Sequence, residues 1–254
     1  MEIEKYDHGV PSWVDLNTSD AAAAHTFYGK LFGWKIDVGP PEAGGYAIAS
    51  LRDKPVAGLS PQQQPGPSFW TTYVNVDDAD LVAKLAQENG ATILMEPFDV
   101  MDVGRMAMFS DPLGAVIAVW QPRSHKGAGV VNEANTYSWS ELLTTDVDAA
   151  KRFYKAVFDW DAKTSGEGPG AYTEWKVGDR FVAGMMLKPA EMPAEVPSHW
   201  AVYFTVADTA AAVTQTEKLG GSTIMPPRDI EPGIFAVVAD PQGAVFQVIQ
   251  MREQ

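Results

Sequence analysis

The chain contains no cysteine among its 254 residues. Without cysteine there can be no disulfide, no thiolate metal ligand and no cysteine nucleophile. Positive charge is also scarce, because 19 Lys and Arg residues stand against 33 Asp and Glu residues and leave a net charge of −14. This balance argues against nucleic acid or an anionic membrane as a partner, since both bind basic surfaces.

Long apolar runs and short catalytic motifs are missing as well. No segment approaches the roughly 18–20 apolar residues that span a bilayer, and the opening MEIEKYDHGVPSW lacks the basic and apolar regions of a secretory signal. The sequence has no Gly-rich phosphate loop, no Gly-x-Ser-x-Gly and no His-Glu-x-x-His. We therefore expect a cytoplasmic protein with no membrane segment and no cofactor.

A repeat dominates what the sequence does contain. The segment from Trp13 to Trp34, WVDLNTSDAAAAHTFYGKLFGW, returns 126 positions later, from Trp139 to Trp160, as WSELLTTDVDAAKRFYKAVFDW. Ten of the 22 ungapped positions are identical, among them both Trp residues, the Asp before the helix and the Phe-Tyr pair. Identity at this level indicates a duplicated protein.

Alternation and helical spacing predict the same β-α-β-β-β unit four times. In the first unit, Trp13–Asn17 alternates as a strand, Ala21 to Phe32 has the spacing of an amphipathic helix, and Tyr46–Leu51 is the third strand. We expect domain 1 at 8–122, with units at about 11–60 and 67–122. A linker at 123–135 precedes domain 2 at 136–252, with units at about 136–188 and 197–252.

Two motifs carry a resemblance to a known family. A helix with Ala-x-x-Phe-Tyr that ends in Phe-x-Trp, after a strand and a capping Asp, resembles the opening of a vicinal oxygen chelate domain. The turns Asp-Pro-x-Gly-Ala at Asp111 and Asp240 resemble the closing motif of that superfamily, which includes glyoxalases, bleomycin-resistance proteins and extradiol dioxygenases. The resemblance implies an α+β fold with two tandem glyoxalase-like domains, each a pair of βαβββ units whose curved mixed sheets enclose a cavity. Because such a chain contains its own pseudo-dimer, we expect a monomer or a weak homodimer.

Members of this superfamily commonly hold a metal with His or Glu residues on the first and last strands of their units. Counting from the two motifs gives six corresponding positions in this chain, which we call the ligand positions: Trp13, Thr71, Ala118, Trp139, Ala201 and Gln247. None of the six is His, Asp or Glu. Because a divalent metal needs several oxygen or imidazole ligands that converge, the resemblance and these residues together predict no metal.

Strand alternation then predicts which side chains line the two cavities. A wall of aromatic residues with a few acids and amides is typical of a small-molecule pocket. The expected ligand-binding residues are Trp13, Asp15, Phe69, Tyr73, Trp120, Trp139, Glu141, His199, Tyr203 and Gln247.

Each polar candidate also has a purely structural interpretation. Asp15 and Glu141 either form salt bridges, for which Arg105, Arg180 or a lysine are possible partners, or act as hydrogen-bond acceptors or bases toward a ligand. The sequence favours the first for Asp15 and the second for Glu141. We expect no chemistry from the other three histidines, which are His8, His25 and His125.

The favoured hypothesis is metal-independent binding of a hydrophobic or aromatic small molecule, as in drug sequestration or an accessory step of secondary metabolism. The alternative is a glyoxalase- or lyase-type enzyme that acts on a small carbonyl or aromatic metabolite, with Glu141 or His199 as general base. A third possibility is that only one half keeps a pocket and the other half supports it.

Overall fold

The computed structural model describes residues 1–193 and 195–252. The strands are β1 (Pro11–Thr18), β2 (Lys35–Val38), β3 (Ala47–Leu51), β4 (Lys54–Pro61), β5 (Phe69–Asn75), β6 (Thr92–Val100), β7 (Gly104–Ser110), β8 (Val116–Pro122), β9 (Thr136–Thr144), β10 (Asp161–Ser165), β11 (Tyr172–Val177), β12 (Arg180–Leu187), β13 (His199–Thr205), β14 (Ser222–Ile230), β15 (Gly233–Ala239) and β16 (Val245–Met251). The helices are α1 (Ala21–Phe32), α2 (Ala79–Glu88), α3 (Val147–Phe158) and α4 (Thr209–Lys218). None of the helices in this part of the chain is long and apolar enough to cross a membrane.

The strands form two eight-stranded mixed sheets, one from each half of the chain. The orders are β2-β3-β4-β1-β5-β8-β7-β6 and β10-β11-β12-β9-β13-β16-β15-β14. Each sheet joins its two units through an antiparallel pair, β1 with β5 and β9 with β13. Parallel pairs occur inside the units, for example β1 with β4. The structure thus confirms two tandem α+β domains built from βαβββ units.

An aspartate directly precedes each of the four helices α1 to α4 in the described part of the chain. In each case its carboxylate accepts a hydrogen bond from the backbone N–H three residues later, which satisfies one of the free donors at a helix start. The four capping residues are Asp20, Asp78, Asp146 and Asp208. The predicted bounds of α1 are correct at both ends, because Gly33 adopts the left-handed conformation that ends the helix.

The apolar stripes of α1 and α3 join the two halves. Tyr28 and Phe32 of α1 pack on Val14 and Leu16 of their own sheet within one continuous core. The same stripe contacts Phe204 and Phe246 of the second half, with ring centroids 5.1 Å apart for Phe32 and Phe204. Since α3 packs on the first half in the equivalent way, each helix is shared between its own domain and the other one.

Two equivalent hydrogen-bonded chains cross this junction. The Tyr28 hydroxyl donates to Asp240 Oδ2 at 3.0 Å and accepts from Trp70 Nε1 at 3.1 Å. Tyr154 links Asp111 and Trp200 in the same way, at 3.0 and 2.9 Å. The repeated Phe-Tyr pair and the repeated Asp-Pro turn therefore have a structural role, because they bind each other across the two halves.

Residues 123–135 contain no helix and no strand, yet they are packed against domain 1. The Ala128 N–H donates to the Ser12 carbonyl at 2.8 Å, and the Tyr6 hydroxyl donates to the Ala128 carbonyl at 2.8 Å. Ala128 and Val130 are buried. The segment that the sequence suggests is a linker is thus held against the first strand of the fold.

Candidate ligand-binding site

The concave face of each sheet carries the side chains that strand alternation predicts there. In the first sheet Trp13 lies opposite Tyr73, and Asp15 lies opposite Thr71. In the second sheet Trp139 lies opposite Tyr203, and Glu141 lies opposite Ala201. Partners in register point to the same side of a sheet. Four of the six ligand positions therefore lie on concave faces, and Ala118 and Gln247 join them as the register partners of the two tyrosines.

A buried carboxyl group stands at the centre of the first concave face. Asp15 is only 7% exposed, and its Oδ2 accepts a hydrogen bond from the Tyr73 hydroxyl at 2.8 Å. The Tyr46 hydroxyl also hydrogen-bonds the carboxyl group and accepts from Trp13 Nε1 at 2.9 Å. Burial raises the pKa of Asp15 to about 7, although both tyrosine hydroxyls lower it. Near neutral pH this group can therefore accept or donate a proton.

The second concave face repeats this arrangement. The Tyr203 hydroxyl donates to Glu141 Oε1 at 3.1 Å, and Trp139 Nε1 donates to the Tyr172 hydroxyl at 3.1 Å. Burial raises the pKa of Glu141, and its hydrogen bonds with Tyr172 and Tyr203 oppose that rise. We call each set of two tyrosines, one tryptophan and one carboxylate a carboxyl cluster. Its members are Trp13, Asp15, Tyr46 and Tyr73 in the first half and Trp139, Glu141, Tyr172 and Tyr203 in the second.

The salt-bridge interpretation of Asp15 is wrong. Arg105 instead binds Asp80 at 2.6 Å and Asp99 at 3.0 Å on the surface. The partners of Asp15 are tyrosine hydroxyls, which are neutral and compensate only part of the cost of burying a charge. This is why the pKa of Asp15 rises and why both acids, not Glu141 alone, are candidates for chemistry.

Tyr46 and Tyr172 belong to the site although sequence reasoning did not select them. Each precedes or begins the third strand of its unit, and each hydroxyl lies directly over a glycine of the next strand, Gly58 or Gly184. A Cβ at either glycine would overlap that hydroxyl. The signal was present in the sequence, because the tyrosine and the glycine recur together at the same spacing in both halves.

His125 packs against the first carboxyl cluster, although the sequence placed it in a linker. Its ring contacts the Trp13 ring edge-on, with centroids 4.5 Å apart, and its carbonyl accepts from Trp120 Nε1 at 2.9 Å. Burial lowers the pKa of His125 to about 4, so the ring is neutral at pH 7. Its Nε2 is buried without a hydrogen-bond partner. His125 thus covers Trp13 on the first concave face.

The remaining predicted residues differ in how far they are exposed. Phe69 is the first residue of β5 and is 40% exposed, and Trp120 is buried beneath His125. His199 begins β13, is half-buried, and places Nδ1 2.9 Å from the Pro197 carbonyl. Gln247 is 6% exposed, and its Oε1 is buried without a partner.

The ligand positions do not fit the metal that the superfamily resemblance implies. They hold two indoles, two alanine methyl groups, one hydroxyl and one carboxamide. Across residues 1–193 and 195–252, no group of three His, Asp or Glu side chains is arranged to hold an ion. We therefore derive no chemistry from a metal at this site.

Two open depressions lie away from the concave faces. One of about 460 Å³ borders the start of α3 and includes Lys151 and Thr164. The other, of about 520 Å³, lies at the end of β16 and includes Asp229 and Arg252. Neither is lined by residues of the carboxyl clusters.

Comparisons with known proteins agree with the fold and the duplication. Residues 10–119 match the Glyoxalase/Bleomycin resistance protein/Dioxygenase superfamily, and residues 140–249 match a glyoxalase-like domain family. CFP32 of Mycobacterium tuberculosis, whose name describes it as a glyoxylase, is 42% identical over 259 residues, which cover 98% of each chain. The anthracycline biosynthesis protein DnrV of Streptomyces peucetius is 37% identical over 267 residues, covering 99% of this chain and 96% of its own.

A solved structure shares the fold at low sequence identity. The Mn(II)-bound glyoxalase of Novosphingobium aromaticivorans aligns with a TM-score of 0.67 at 15% identity, over 97% of this chain and 83% of that one. Together with the family matches in both halves, these similarities show that the chain belongs to the Glyoxalase/Bleomycin resistance protein/Dioxygenase superfamily, as a member with two tandem glyoxalase-like domains.

Proposed function

We propose that the protein binds a flat hydrophobic or aromatic small molecule without a metal, as a cytoplasmic protein that sequesters the molecule or assists its biosynthesis. The observation that carries this proposal is the carboxyl cluster, which stands on both concave faces while the ligand positions lack metal-binding side chains. Aromatic rings and a neutral hydrogen-bonding group are what a flat organic ligand requires.

The second concave face is the better binding surface. Trp139 is half-buried, whereas Trp13 is only 3% exposed beneath His125. Leu143, Ala201 and Ile249 form an apolar floor that Met186 and Phe235 border. A flat ligand there would contact the Trp139 ring, and such a pair contributes about 0.5–1.5 kcal/mol beyond the burial of apolar area.

The relatives support an aromatic ligand. DnrV is named for anthracycline biosynthesis, and anthracyclines contain a flat system of fused rings. The identity of 37% over nearly the whole chain supports a ligand of the same general shape for this protein. The strongly negative charge of the chain favours a neutral or cationic ligand over an anionic one.

A second candidate function is a cofactor-free reaction on a small carbonyl or aromatic compound. The raised pKa values of Asp15 and Glu141 favour it, because a general base works best with a pKa near the pH at which it acts. The name of CFP32 supports a glyoxylase activity. Glu141 or His199 would be the base in the second half, and Asp15 is the equivalent group in the first.

A titration of metal-depleted protein with doxorubicin, followed by tryptophan fluorescence, tests the proposal. We expect saturable quenching with one site per chain, and doxorubicin that is recovered unchanged. A requirement for stoichiometric Zn, Mn, Fe or Ni would contradict metal independence. Chemical conversion of the compound would favour the enzyme hypothesis.

The two halves offer a matched pair of variants for this titration. Trp139→Phe should weaken binding several-fold, because it replaces the half-buried indole of the second face. Trp13→Phe changes the equivalent indole of the first face, which His125 covers, and should leave the affinity within about twofold. Equal effects of both substitutions would show that the first face also binds the compound.

A further inference from the structure

Gln247 is a buried polar side chain whose Oε1 has no hydrogen-bond partner in the described part of the chain. It is 6% exposed, and its Oε1 is inaccessible to solvent. Buried polar groups in folded proteins are nearly always paired. The unpaired Oε1 of Gln247 is therefore free to accept a hydrogen bond from a group outside the chain.

Gln247 lies between two strands that place largely apolar side chains beside it. It pairs with Tyr203 of β13 on one side and Val237 of β15 on the other. The Tyr203 hydroxyl is already used by Glu141. The nearby concave-face cluster consists of Leu143, Ala201, Tyr203 and Ile249, all buried. In such a low-polarity environment a single carboxamide contributes strongly to selectivity, since a ligand that leaves it unpaired loses the hydrogen bonds.

The first half has no counterpart of this group. The equivalent position is Ala118, which is fully buried and pairs with Tyr73. Both faces keep the carboxyl cluster, so the carboxamide is an addition to the second face and not a requirement of the fold.

We propose that Gln247 determines the specificity of the second concave face, by binding a flat aromatic ligand that presents a hydrogen-bond donor and an acceptor side by side. A carboxamide offers one acceptor and two donors. Its natural complement is a ring that bears a primary carboxamide, or a hydroxyl next to a carbonyl. This inference rests on the proposed function and adds the chemical class of the ligand.

The complement does not depend on which way the carboxamide is turned. Turning it exchanges the positions of Oε1 and Nε2, and a ligand with both groups side by side binds both atoms in either case: its donor donates to Oε1 and its acceptor accepts from Nε2. A ligand with only one of the two groups can satisfy only one atom of Gln247. The face therefore selects for the pair of groups and not for either group alone.

Two probes of similar shape separate these cases. Naphthalene-2-carboxamide carries an acceptor and a donor, whereas 2-acetylnaphthalene carries the acceptor alone. We expect the wild-type protein to bind the carboxamide roughly tenfold more tightly in a calorimetric or fluorescence titration, as one additional buried hydrogen bond would give. Gln247→Leu should abolish this preference, because it removes two hydrogen bonds from the complex with the carboxamide and only one from the complex with 2-acetylnaphthalene.

A control variant comes from the same strand. Gln250 lies three residues further along β16, so its side chain points to the opposite face, where Oε1 accepts from the Thr209 N–H at 3.4 Å. Gln250→Leu should keep the tenfold preference. Because Gln247→Leu removes an unpaired polar group, we also expect its urea midpoint to be equal to or above that of the wild type.

The outcomes separate the inference from the proposed function. Equal affinity of the wild type for both probes, or a preference that survives in Gln247→Leu, overturns the role of Gln247 and leaves aromatic binding in place. If neither naphthalene probe nor doxorubicin binds, the proposed function is wrong and this inference is wrong with it.

Discussion

The two concave faces share one polar arrangement and differ in what covers it. In the first half His125 lies against Trp13, and the indole is 3% exposed. In the second half Trp139 is half-buried, and across residues 1–193 and 195–252 no aromatic ring is stacked on it or packed edge-on against it. Both halves thus contain the carboxyl cluster, but among the described residues an aromatic side chain covers the tryptophan of the cluster in the first half only.

The same contrast appears in the side chains between the strands. Where the first face has Thr71 and the fully buried Ala118, the second has Ala201 and the unpaired Gln247. The acidic side chain is shorter in the first half, where it is Asp15, than in the second half, where it is Glu141. We interpret the first face as mainly structural and the second as the ligand surface, and three substitution experiments test this difference.

The largest expected effect is on pH-dependent stability and concerns Asp15. Its pKa is about 7 in the folded protein, against an ordinary value of 3.8. The folded state therefore holds the proton more tightly than the unfolded state, so the contribution is full below about pH 4 and is lost as the pH rises to about 7. At about 1.4 kcal/mol for each pKa unit, the loss is about 4 kcal/mol.

Asp15→Asn should remove this dependence, because an amide does not titrate. Urea unfolding at several pH values should show the wild type losing stability relative to Asp15→Asn between about pH 4 and pH 7. Glu141→Gln should change stability in the same direction, since burial also raises the pKa of Glu141. Parallel curves for the wild type and Asp15→Asn would mean that Asp15 is ionised in the fold.

The two glycines beneath the tyrosines give the next largest effect. A Cβ at Gly58 would overlap the Tyr46 hydroxyl, and a Cβ at Gly184 would overlap the Tyr172 hydroxyl and crowd Trp139 Nε1. Overpacking of this kind costs about 1–3 kcal/mol, so Gly58→Ala and Gly184→Ala should both lower the urea midpoint. Only Gly184→Ala should weaken doxorubicin binding, because only that change displaces the half-buried indole.

Gly170→Ala is the control for these substitutions. Gly170 has no atoms near its would-be Cβ, and its backbone φ is one that other residues adopt. The substitution should leave both stability and binding unchanged. Weaker binding in Gly58→Ala, at the same level as in Gly184→Ala, would contradict the interpretation that the two faces have different roles.

The fold could be predicted from the sequence because its characteristic motifs occur more than once in the chain. The Phe-Tyr pair, the capping aspartates and the Asp-Pro turns recur at nearly constant spacing, and strand alternation correctly assigned Asp15, Tyr73, Glu141 and Tyr203 to the concave faces. These features are local, and a local period of two or of 3.6 residues determines which face a side chain occupies. The role of these residues in binding a ligand stays a prediction.

The sequence did not predict the parts of the site that depend on contacts between residues far apart in the chain, because helical and strand periodicity describe neighbouring residues only. His125 follows the last strand of domain 1 and returns to β1, more than a hundred residues earlier in the chain, where it contacts Trp13. The partners of Asp15 could not be chosen from sequence either, because arginine and tyrosine are both plausible neighbours of a buried acid until the strands are paired. The role of Asp111 and Asp240 at the junction became visible only with the helices in place.

The smallest effect, and the most direct test of the contrast between the faces, comes from His125→Ala. The substitution removes an aromatic contact worth about 0.5–1.5 kcal/mol, and it also removes the unpaired Nε2, so the net change in stability should be about 1 kcal/mol or less. With the cover gone, Trp13 should become accessible to acrylamide, and the number of 2-acetylnaphthalene sites should rise from one to two per chain. The exposed neighbour Lys126→Ala serves as the control and should change neither quantity. If His125→Ala still binds a single probe molecule while Trp13 is quenched, then the cover is not what distinguishes the faces, and the difference lies in the side chains between the strands, such as Ala118 and Gln247.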